Sequence, residues 1–132
     1  MVTASIVTYH TAANELLRVI NCAVHSTIEI LYIIDNSSND SLRELKDVSE
    51  KIVYIHSDNL GYGSGHNIGI RKAVEKGATY HVVLNPDIYW NDSAIETLSR
   101  FMDSYPDCGL VMPQILYPNG NIQYLCKLLP TP

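Results

Sequence analysis

Basic clusters, long apolar runs and paired cysteines are the features that this chain lacks. Its nine lysines and arginines form no run and its net charge is -5, which argues against nucleic-acid binding, because such proteins usually present a basic stripe. No apolar stretch approaches the roughly 20 residues of a membrane-spanning helix. The cysteines, Cys22, Cys108 and Cys126, are odd in number and show no C-x-x-C spacing, so we expect reduced thiols rather than disulfides or a zinc site.

What the chain does contain is the composition of an ordinary globular domain. Its 132 residues are 46% hydrophobic and 17% charged, enough for one domain with a hydrophobic core. Four short apolar segments predict strands: 4–9, 28–34, 52–56 and 80–84. The alternation of these strands with helical patterns predicts an α/β fold, a mainly parallel sheet with helices on both faces.

Apolar residues at helical spacing, together with capping and turn residues, predict the other elements. The first helix would bury Leu16, Leu17, Ile20, Ala23 and Val24. The next long helix would bury Ile70, Ala73 and Val74 and would end at Gly77. The last helix would bury Ile95, Leu98, Met102 and Tyr105. Ser41 with Glu44, and Ser93 with Glu96, match capping boxes; the first of these helices would end near Val48. Short strands are expected at 110–112 and 114–117, and the turn 118–120 predicts a hairpin with 122–125.

Polar residues follow the strands at the points where the sheet should present one common edge, since right-handed crossovers bring the strand-to-helix loops together. They are Thr8, Tyr9 and His10 at the end of the first strand, Asp35 after the second, the glycine-rich segment 59–67 after the third, and Asn85 and Asp87 after the fourth. An aromatic ring can stack on a base, a carboxylate can accept from a base or ribose, and a helix start favours phosphate. These loops therefore suit a nucleotide diphosphate, whose phosphates a carboxylate-bound metal can bridge.

Each of these features also has a simpler explanation. Asp35 could cap a helix, the glycines could serve a turn, and Asp87 could be a solvated turn residue. The glycine segment matches neither the dinucleotide fingerprint, because His66 stands where glycine is required, nor the phosphate-binding loop, because no Gly-Lys-Ser/Thr occurs. His66 has no nucleophile or orienting carboxylate beside it in the sequence, so we assign it no catalytic role.

Four blocks, SIVTYHT, IIDNSSND, NLGYGSGHNIGI and VVLNPDIYW, resemble in order and spacing those of the inverting family-two glycosyltransferases with the GT-A fold. The rhamnosyltransferase-like branch, with its N-P-D in place of Asp-x-Asp, is the most similar. The resemblance implies that residues 1–132 form a single nucleotide-sugar-binding domain, the N-terminal part of a longer enzyme. Such an enzyme transfers a sugar from a nucleotide diphosphate to a glycan or lipid-linked acceptor in cell-surface polysaccharide synthesis.

The resemblance also assigns roles to individual residues. Those expected to bind the donor are Thr8, Tyr9, Asp35, Gly65, Asn67 and Asn85. Asp87 matches the second acid of the metal motif and would bind Mg²⁺ or Mn²⁺, whereas Asn85 replaces the first acid and removes one charge. The catalytic base would lie beyond these residues, so we expect this chain to bind donor without transferring sugar.

The expected location is cytoplasmic, and peripheral to the inner membrane in the full-length protein. Two other functions remain open. A non-catalytic nucleotide-binding or self-associating module, including a homodimer formed through uncovered sheet surface, is one. A nucleotidyltransferase is the other, although the basic glycine-rich signature expected near its first strand is absent from SIVTYHT.

Overall fold

A computed structural model describes residues 1–91 and 93–124 of the chain. Its main sheet has four parallel strands in the order β3-β2-β1-β4, where β1 is Val2–Thr8, β2 Ile30–Asp35, β3 Ile52–His56 and β4 Tyr80–Leu84. The connecting helices are α1 (Ala13–Val24), a 3₁₀ helix (Arg43–Val48) and α2 (Tyr62–Glu75), and α3 (Ala94–Ser104) follows β4. The expected α/β architecture is confirmed, and the predicted bounds of β3 and β4 agree with those observed.

The two faces of the sheet are covered by different helices, because successive side chains of a strand point to opposite sides. Ala4 and Ile6 of β1 join Leu16 and Ile20 of α1 in the larger core cluster. Val7 faces the other way and packs in a second cluster with Ile34 and, at its margin, Ile68 of α2. In the strand order, β2 and β3 lie on one side of β1 and β4 lies on the other. Open α/β sheets commonly bind ligands at the carboxyl ends of the strands where the order changes direction in this way.

The buried face of α1 is shifted from the one the sequence predicts. Val19 is fully buried, whereas Leu17 is 37% exposed. The apolar stripe is wide enough to admit either choice, and packing against the sheet selects the face centred on Leu16, Ile20 and Ala23.

Helix α2 begins earlier, and buries smaller residues, than we expected. Tyr62 already lies in the helix, so most of the predicted glycine loop forms its first two turns, and Val74, expected to be buried, is 74% exposed. The buried face instead contains Gly65, Gly69 and Ala73, which lie four residues apart. Small residues at this spacing let the helix backbone approach β1 closely, and that packing outweighs the low helix propensity of glycine. The helix ends at Glu75, two residues before the predicted Gly77, which has φ 69° and follows the capping residue Lys76.

Neither predicted capping box forms. Leu42 rather than Ser41 caps the 3₁₀ helix, because burial of Leu42 and Leu45 on one side of that helix sets its start. Ser93 precedes α3 with φ -90° and ψ -6°, a helical conformation, and its hydroxyl lies 3.3 Å from Asn91 Oδ1 instead of on a helix amide.

The segment after α3 is only partly as predicted. No strand forms at 110–112, where Leu110 is 87% exposed, because no strand among the described residues lies beside it to accept its hydrogen bonds. The hairpin is confirmed for β5 (Ile115–Leu116) and β6 (Ile122–Gln123), with Gly120 at φ 84° in the turn. Leu125, Cys126 and the tail to residue 132 lie outside the described residues. None of the helices in the described part of the chain combines the length and apolar character required to cross a bilayer.

Candidate functional site

The carboxyl edge of the sheet gathers the loops that the sequence singles out. Thr8 and Asp35 are register partners at the ends of β1 and β2. Leu84, the last residue of β4, pairs with Ile6 on the other side of β1, so Asn85 and Asp87 continue beyond the same edge. Asp35 and the end of β4 are two strand spacings apart, roughly 10 Å. The sheet therefore brings the predicted residues to one edge rather than to opposite sides of the molecule.

Asp35 is fully buried, and both of its carboxylate oxygens have partners. The backbone N–H of Ser37 donates to Oδ1 at 3.0 Å, and the hydroxyl of Tyr54 donates to Oδ2 at 2.8 Å. Burial, followed by the bond to Asp35, raises the pKa of Tyr54 well above its usual value. Asp35 therefore organises the turn after β2 instead of capping the next helix, and in this conformation its carboxylate faces protein groups.

The loop after β1, the loop after β2 and the last residue of β3 are joined to one another around Ser37. The N–H of His10 donates to Ser37 Oγ at 2.8 Å, and His56 Nε2 lies 2.8 Å from the carbonyl oxygen of Ser37. His10 adopts φ 52°, which turns the chain sharply after β1. These contacts leave Tyr9 57% exposed, with its ring edge-on to His10 at 4.4 Å, in a position where a planar ligand could stack on it.

Thr8 and Tyr54 each place a hydroxyl group near this edge of the sheet. The hydroxyl of Thr8 is buried and has no hydrogen-bond partner among the described residues. Tyr54 lines a cavity of about 390 Å³. The other residues that line it are Asp40, Arg43, Lys46 and His56. A cavity with two cationic side chains next to the Asp35 turn is compatible with an anionic ligand at this edge.

The start of α2 supplies backbone amides to the edge, but not at the residue we predicted. Gly61 has φ 93°, and the N–H of Gly65 donates to its carbonyl oxygen at 3.0 Å. The bond of Gly65 is therefore the first of the helix, and the N–H groups of residues 62–64 come before it and have no acceptor within the helix. Gly65 is needed for packing, since a Cβ there would lie 2.8 Å from Val7 Cγ2. Asn67 is exposed in the second turn of the helix.

Asn85 and Asp87 lie opposite the first residue of α2. The hydroxyl of Tyr62 donates to Asn85 Oδ1 at 2.5 Å. Burial, and to a smaller extent the charge of Asp87, raises the pKa of Tyr62. Two residues after Asp87, Tyr89 contacts α1, because the guanidinium of Arg18 lies 3.5 Å from the centre of the Tyr89 ring. The helix start and the Asn85–Asp87 turn thus form one local cluster.

Beneath α2 lies a buried polar network that the sequence did not reveal. Ser5 Oγ lies 2.7 Å from His66 Nδ1 and 2.8 Å from His81 Nε2, and His81 Nδ1 lies 2.8 Å from Thr3 Oγ1. Burial lowers the pKa of His66, and burial with a smaller contribution from His66 lowers that of His81 to about 4, so both rings are neutral near pH 7. The sequence did contain one signal for this network, because Thr3 and Ser5 are polar residues two positions apart in an otherwise apolar strand and so lie on the same face of the sheet.

The residues at the edge fit a divalent cation only in part. Among residues 1–91 and 93–124, no group of three or more His, Cys, Asp and Glu side chains is placed to hold a metal. Asp87 and Asn85 offer one carboxylate and one amide oxygen, which are hard ligands. Mg²⁺ is commonly held by one or two protein oxygens and completed by substrate phosphates and water, so this donor set suits a cation that arrives with a diphosphate.

Comparison with known proteins identifies the family. Residues 4–125 match the model of glycosyl transferase family 2, so the chain belongs to that family. The four-stranded parallel sheet flanked by helices, with its small antiparallel hairpin, is consistent with a GT-A-like fold.

Three relatives show how the chain relates to longer proteins. It is 33% identical over 94 residues to an uncharacterized glycosyltransferase of Rickettsia conorii and, to the same extent, to one of Rickettsia felis; each match covers 69% of this chain and 15% of the relative. It is 36% identical over 90 residues to the low-salt glycan biosynthesis hexosyltransferase Agl10 of Haloferax volcanii, which covers 67% of this chain and 29% of that protein. The chain therefore matches only a minor part of each relative's length.

Proposed function

We propose that this chain is the donor-binding part of an inverting glycosyltransferase, which binds a nucleotide-diphosphate sugar together with Mg²⁺ or Mn²⁺. The observation that carries the proposal is the convergence of Tyr9, the Asp35 turn, the start of α2 and the Asn85–Asp87 turn at one sheet edge. Membership of glycosyl transferase family 2 supports sugar transfer as the chemistry of the whole protein.

Each part of the edge has a role in this proposal. Exposed Tyr9 stacks on the base, and the Asp35 turn shapes the base and ribose pocket. The amides of residues 62–64 face phosphate at a helix start, where negative charge is favoured. Asn67 lines the donor pocket, and Asn85 and Asp87 hold the metal and sugar end. A divalent cation would supply neutralisation of the charge that develops on the departing diphosphate.

The base that removes the acceptor proton is expected outside the described residues. Asp103 is unsuitable, because its Oδ1 accepts a 2.6 Å hydrogen bond from the hydroxyl of Tyr80, which lies at the amino end of β4 and so at the opposite edge of the sheet. We therefore propose that the chain binds donor but does not transfer sugar without additional residues. The name of the Haloferax relative supports glycan synthesis, here proposed at the cell surface, with uridine or thymidine diphosphate donors and rhamnose as a candidate sugar.

Calorimetric titration tests this proposal. We expect uridine or thymidine diphosphate to bind in the presence of Mn²⁺ and to bind much more weakly without it. Asp87→Ala should abolish the effect of Mn²⁺, whereas Asp47→Ala, which removes the same charge from an exposed position in the 3₁₀ helix, should preserve it. Binding that is indifferent to both Mn²⁺ and Asp87 would contradict the metal-assisted site.

A self-associating module is the second candidate, and one observation favours it. Large apolar side chains are exposed along the chain from α3 to the C-terminal hairpin. They include Phe101, Leu110, Met112, Leu116, Tyr117 and Tyr124. Such a surface favours association with other protein. Sedimentation of the chain over a range of concentrations distinguishes the self-associating module from the donor-binding domain. A self-associating module would sediment as a dimer or larger species without any nucleotide.

A further inference from the structure

Ser37 forms hydrogen bonds through three different atoms at the carboxyl edge of the sheet. Its N–H donates to Asp35 Oδ1 at 3.0 Å, and its carbonyl oxygen accepts from His56 Nε2 at 2.8 Å. Its hydroxyl oxygen accepts from the N–H of His10 at 2.8 Å. The first two contacts use the backbone, so any residue other than proline could make them in this place. The third contact depends on the serine side chain.

The hydroxyl contact extends the pairing of β1 with β2 beyond the ends of the two strands. The N–H of Asn36 donates to the carbonyl oxygen of Thr8 at 2.9 Å. Two residues after Thr8, the N–H of His10 bonds to the Ser37 side chain rather than to a backbone oxygen. Ser37 is 7% exposed, so water has little access to this side chain. The hydroxyl of Ser37 therefore fixes the path that the chain takes after β1.

His10 needs such a restraint because its backbone conformation is unfavourable. Its φ of 52° lies in the left-handed region, which residues with a Cβ rarely adopt. A conformation of this kind persists only where surrounding contacts hold it. The Tyr9 ring lies edge-on to the His10 ring with their centres 4.4 Å apart, an attractive geometry for two aromatic rings. The conformation of His10 therefore sets the direction in which the exposed Tyr9 ring points.

We propose that Ser37 is a positioning residue of the base pocket, whose hydroxyl holds His10 in the left-handed conformation that presents the Tyr9 ring to the base. This inference rests on the proposed function, in which Tyr9 stacks on the base of the nucleotide. The metal end of that site lies at the Asn85–Asp87 turn after β4, which is two strand positions from β2 in the sheet. Loss of the Ser37 hydroxyl should therefore weaken the contact with the base and leave the contacts with the diphosphate unchanged.

Calorimetric titration of the 132-residue chain with uridine diphosphate and with pyrophosphate, each in the presence of Mn²⁺, tests the role of Ser37. Ser37→Ala keeps the backbone bonds to Asp35 and His56, so we expect the fold to survive. Its affinity for uridine diphosphate should fall about fivefold, the value of a typical hydrogen bond and the lower end of base stacking on an aromatic ring. Its affinity for pyrophosphate, which has no base, should not change. Ser38→Ala removes the neighbouring, exposed hydroxyl and should change neither affinity.

Two further measurements show whether Ser37 acts through His10 and Tyr9. Tyr9→Ala should itself weaken the binding of uridine diphosphate, and adding Ser37→Ala should then cause no further loss. Hydrogen exchange in the absence of ligand gives a second readout, because the amide of His10 loses its acceptor in Ser37→Ala. That amide should exchange about fivefold faster than in the parent chain.

Four results would overturn the inference. They are unchanged binding of uridine diphosphate by Ser37→Ala, an equal loss of affinity for pyrophosphate, a further loss in the Tyr9→Ala background, and unchanged exchange of the His10 amide. If the parent chain binds both ligands and one of these results is found, only the role of Ser37 fails. If the parent chain binds neither ligand with Mn²⁺, the proposed function is contradicted and the role of Ser37 fails with it.

Discussion

The Tyr54 hydroxyl donates a 2.8 Å hydrogen bond to Oδ2 of Asp35, and this bond links β3 to the buried turn at the end of β2. The Ser37 N–H bonds the other carboxylate oxygen, so the turn depends on both contacts. Ligand binding by Asp35 stays a prediction, whereas its hydrogen bonds show that it joins the turn after β2 to β3.

Tyr54→Phe should destabilise the fold by about 1–3 kcal/mol, because it leaves a buried carboxylate oxygen without its donor. Urea unfolding monitored by circular dichroism measures the change. Tyr105→Phe is a suitable control, since Tyr105 is 57% exposed at the end of α3, and it should alter the free energy of unfolding by less than about 0.5 kcal/mol. Equal stability of the two variants would show that the Tyr54–Asp35 bond is not needed for the turn.

The glycines of α2 should respond differently to alanine. A Cβ on Gly69 would meet Ser5 Cβ at 2.7 Å, and Ser5 Cβ cannot rotate away, so Gly69→Ala should cost about 1–3 kcal/mol. Gly63 has open space and an ordinary helical φ, so Gly63→Ala should be neutral or stabilise the helix by up to about 1 kcal/mol. Thermal unfolding of both variants makes the comparison, and a loss of stability in Gly63→Ala that equals the loss in Gly69→Ala would contradict the packing of α2.

The two neutral histidines beneath α2 should make stability depend on pH. Burial lowers the pKa of His81 from 6.5 to about 4 and lowers that of His66 as well. The unfolded chain therefore binds protons that the folded chain does not. The free energy of unfolding should decrease as pH falls from about 6.5 toward 4, by up to roughly 1.4 kcal/mol per pH unit for each histidine, and the His81 contribution should level off below that.

Urea unfolding across this pH range measures the slope, and two variants assign it. His81→Gln retains groups that can bond to Thr3 and Ser5 but does not titrate, so its slope between pH 6.5 and 4 should be shallower. His25→Gln changes an exposed residue after α1 and should keep the slope of the parent chain. If the parent and His81→Gln gave parallel curves, His81 would not be the source of the dependence.

Asn85→Asp should strengthen binding of Mn²⁺, because it provides a second carboxylate close to Asp87. The gain should be on the order of tenfold, about 1.4 kcal/mol, for one added charge at an exposed site. Asn91→Asp is the comparison, since it makes the same change six residues further along the exposed turn. Isothermal titration with Mn²⁺ and uridine diphosphate tests this, and equal gains in both variants would indicate general attraction rather than coordination.

Sequence reasoning succeeded where a segment carries its own signal. The apolar, β-branched runs of β3 and β4 predicted their observed bounds, because a polar residue stands directly before and after each run. It failed at the start of α2, where glycine predicts a loop from local propensity, while contact of Gly65 and Gly69 with β1 favours a helix. That contact depends on tertiary packing, which no local pattern reports.

The placement of the candidate residues in the fold was predictable to a similar degree, whereas their roles stay predictions. The topology rule brought Thr8, Asp35 and Asp87 to one edge, and the register of β1 with its neighbours places their strands accordingly. The bonds of Asp35 to Tyr54 and of Tyr62 to Asn85 join residues 19 and 23 positions apart, and neither pair has a spacing signal. Such contacts depend on how α2 and β3 lie in three dimensions.

Paramagnetic broadening by Mn²⁺ in the presence of uridine or thymidine diphosphate tests the central claim most directly, because it reports position as well as binding. The account predicts that amide signals near Asp87, Tyr62 and the turn after Asp35 are broadened together, while those around the hairpin turn at Gly120 stay sharp. Broadening that avoids Asp87, or that centres on another part of the chain, would show that the sheet edge is not the donor site.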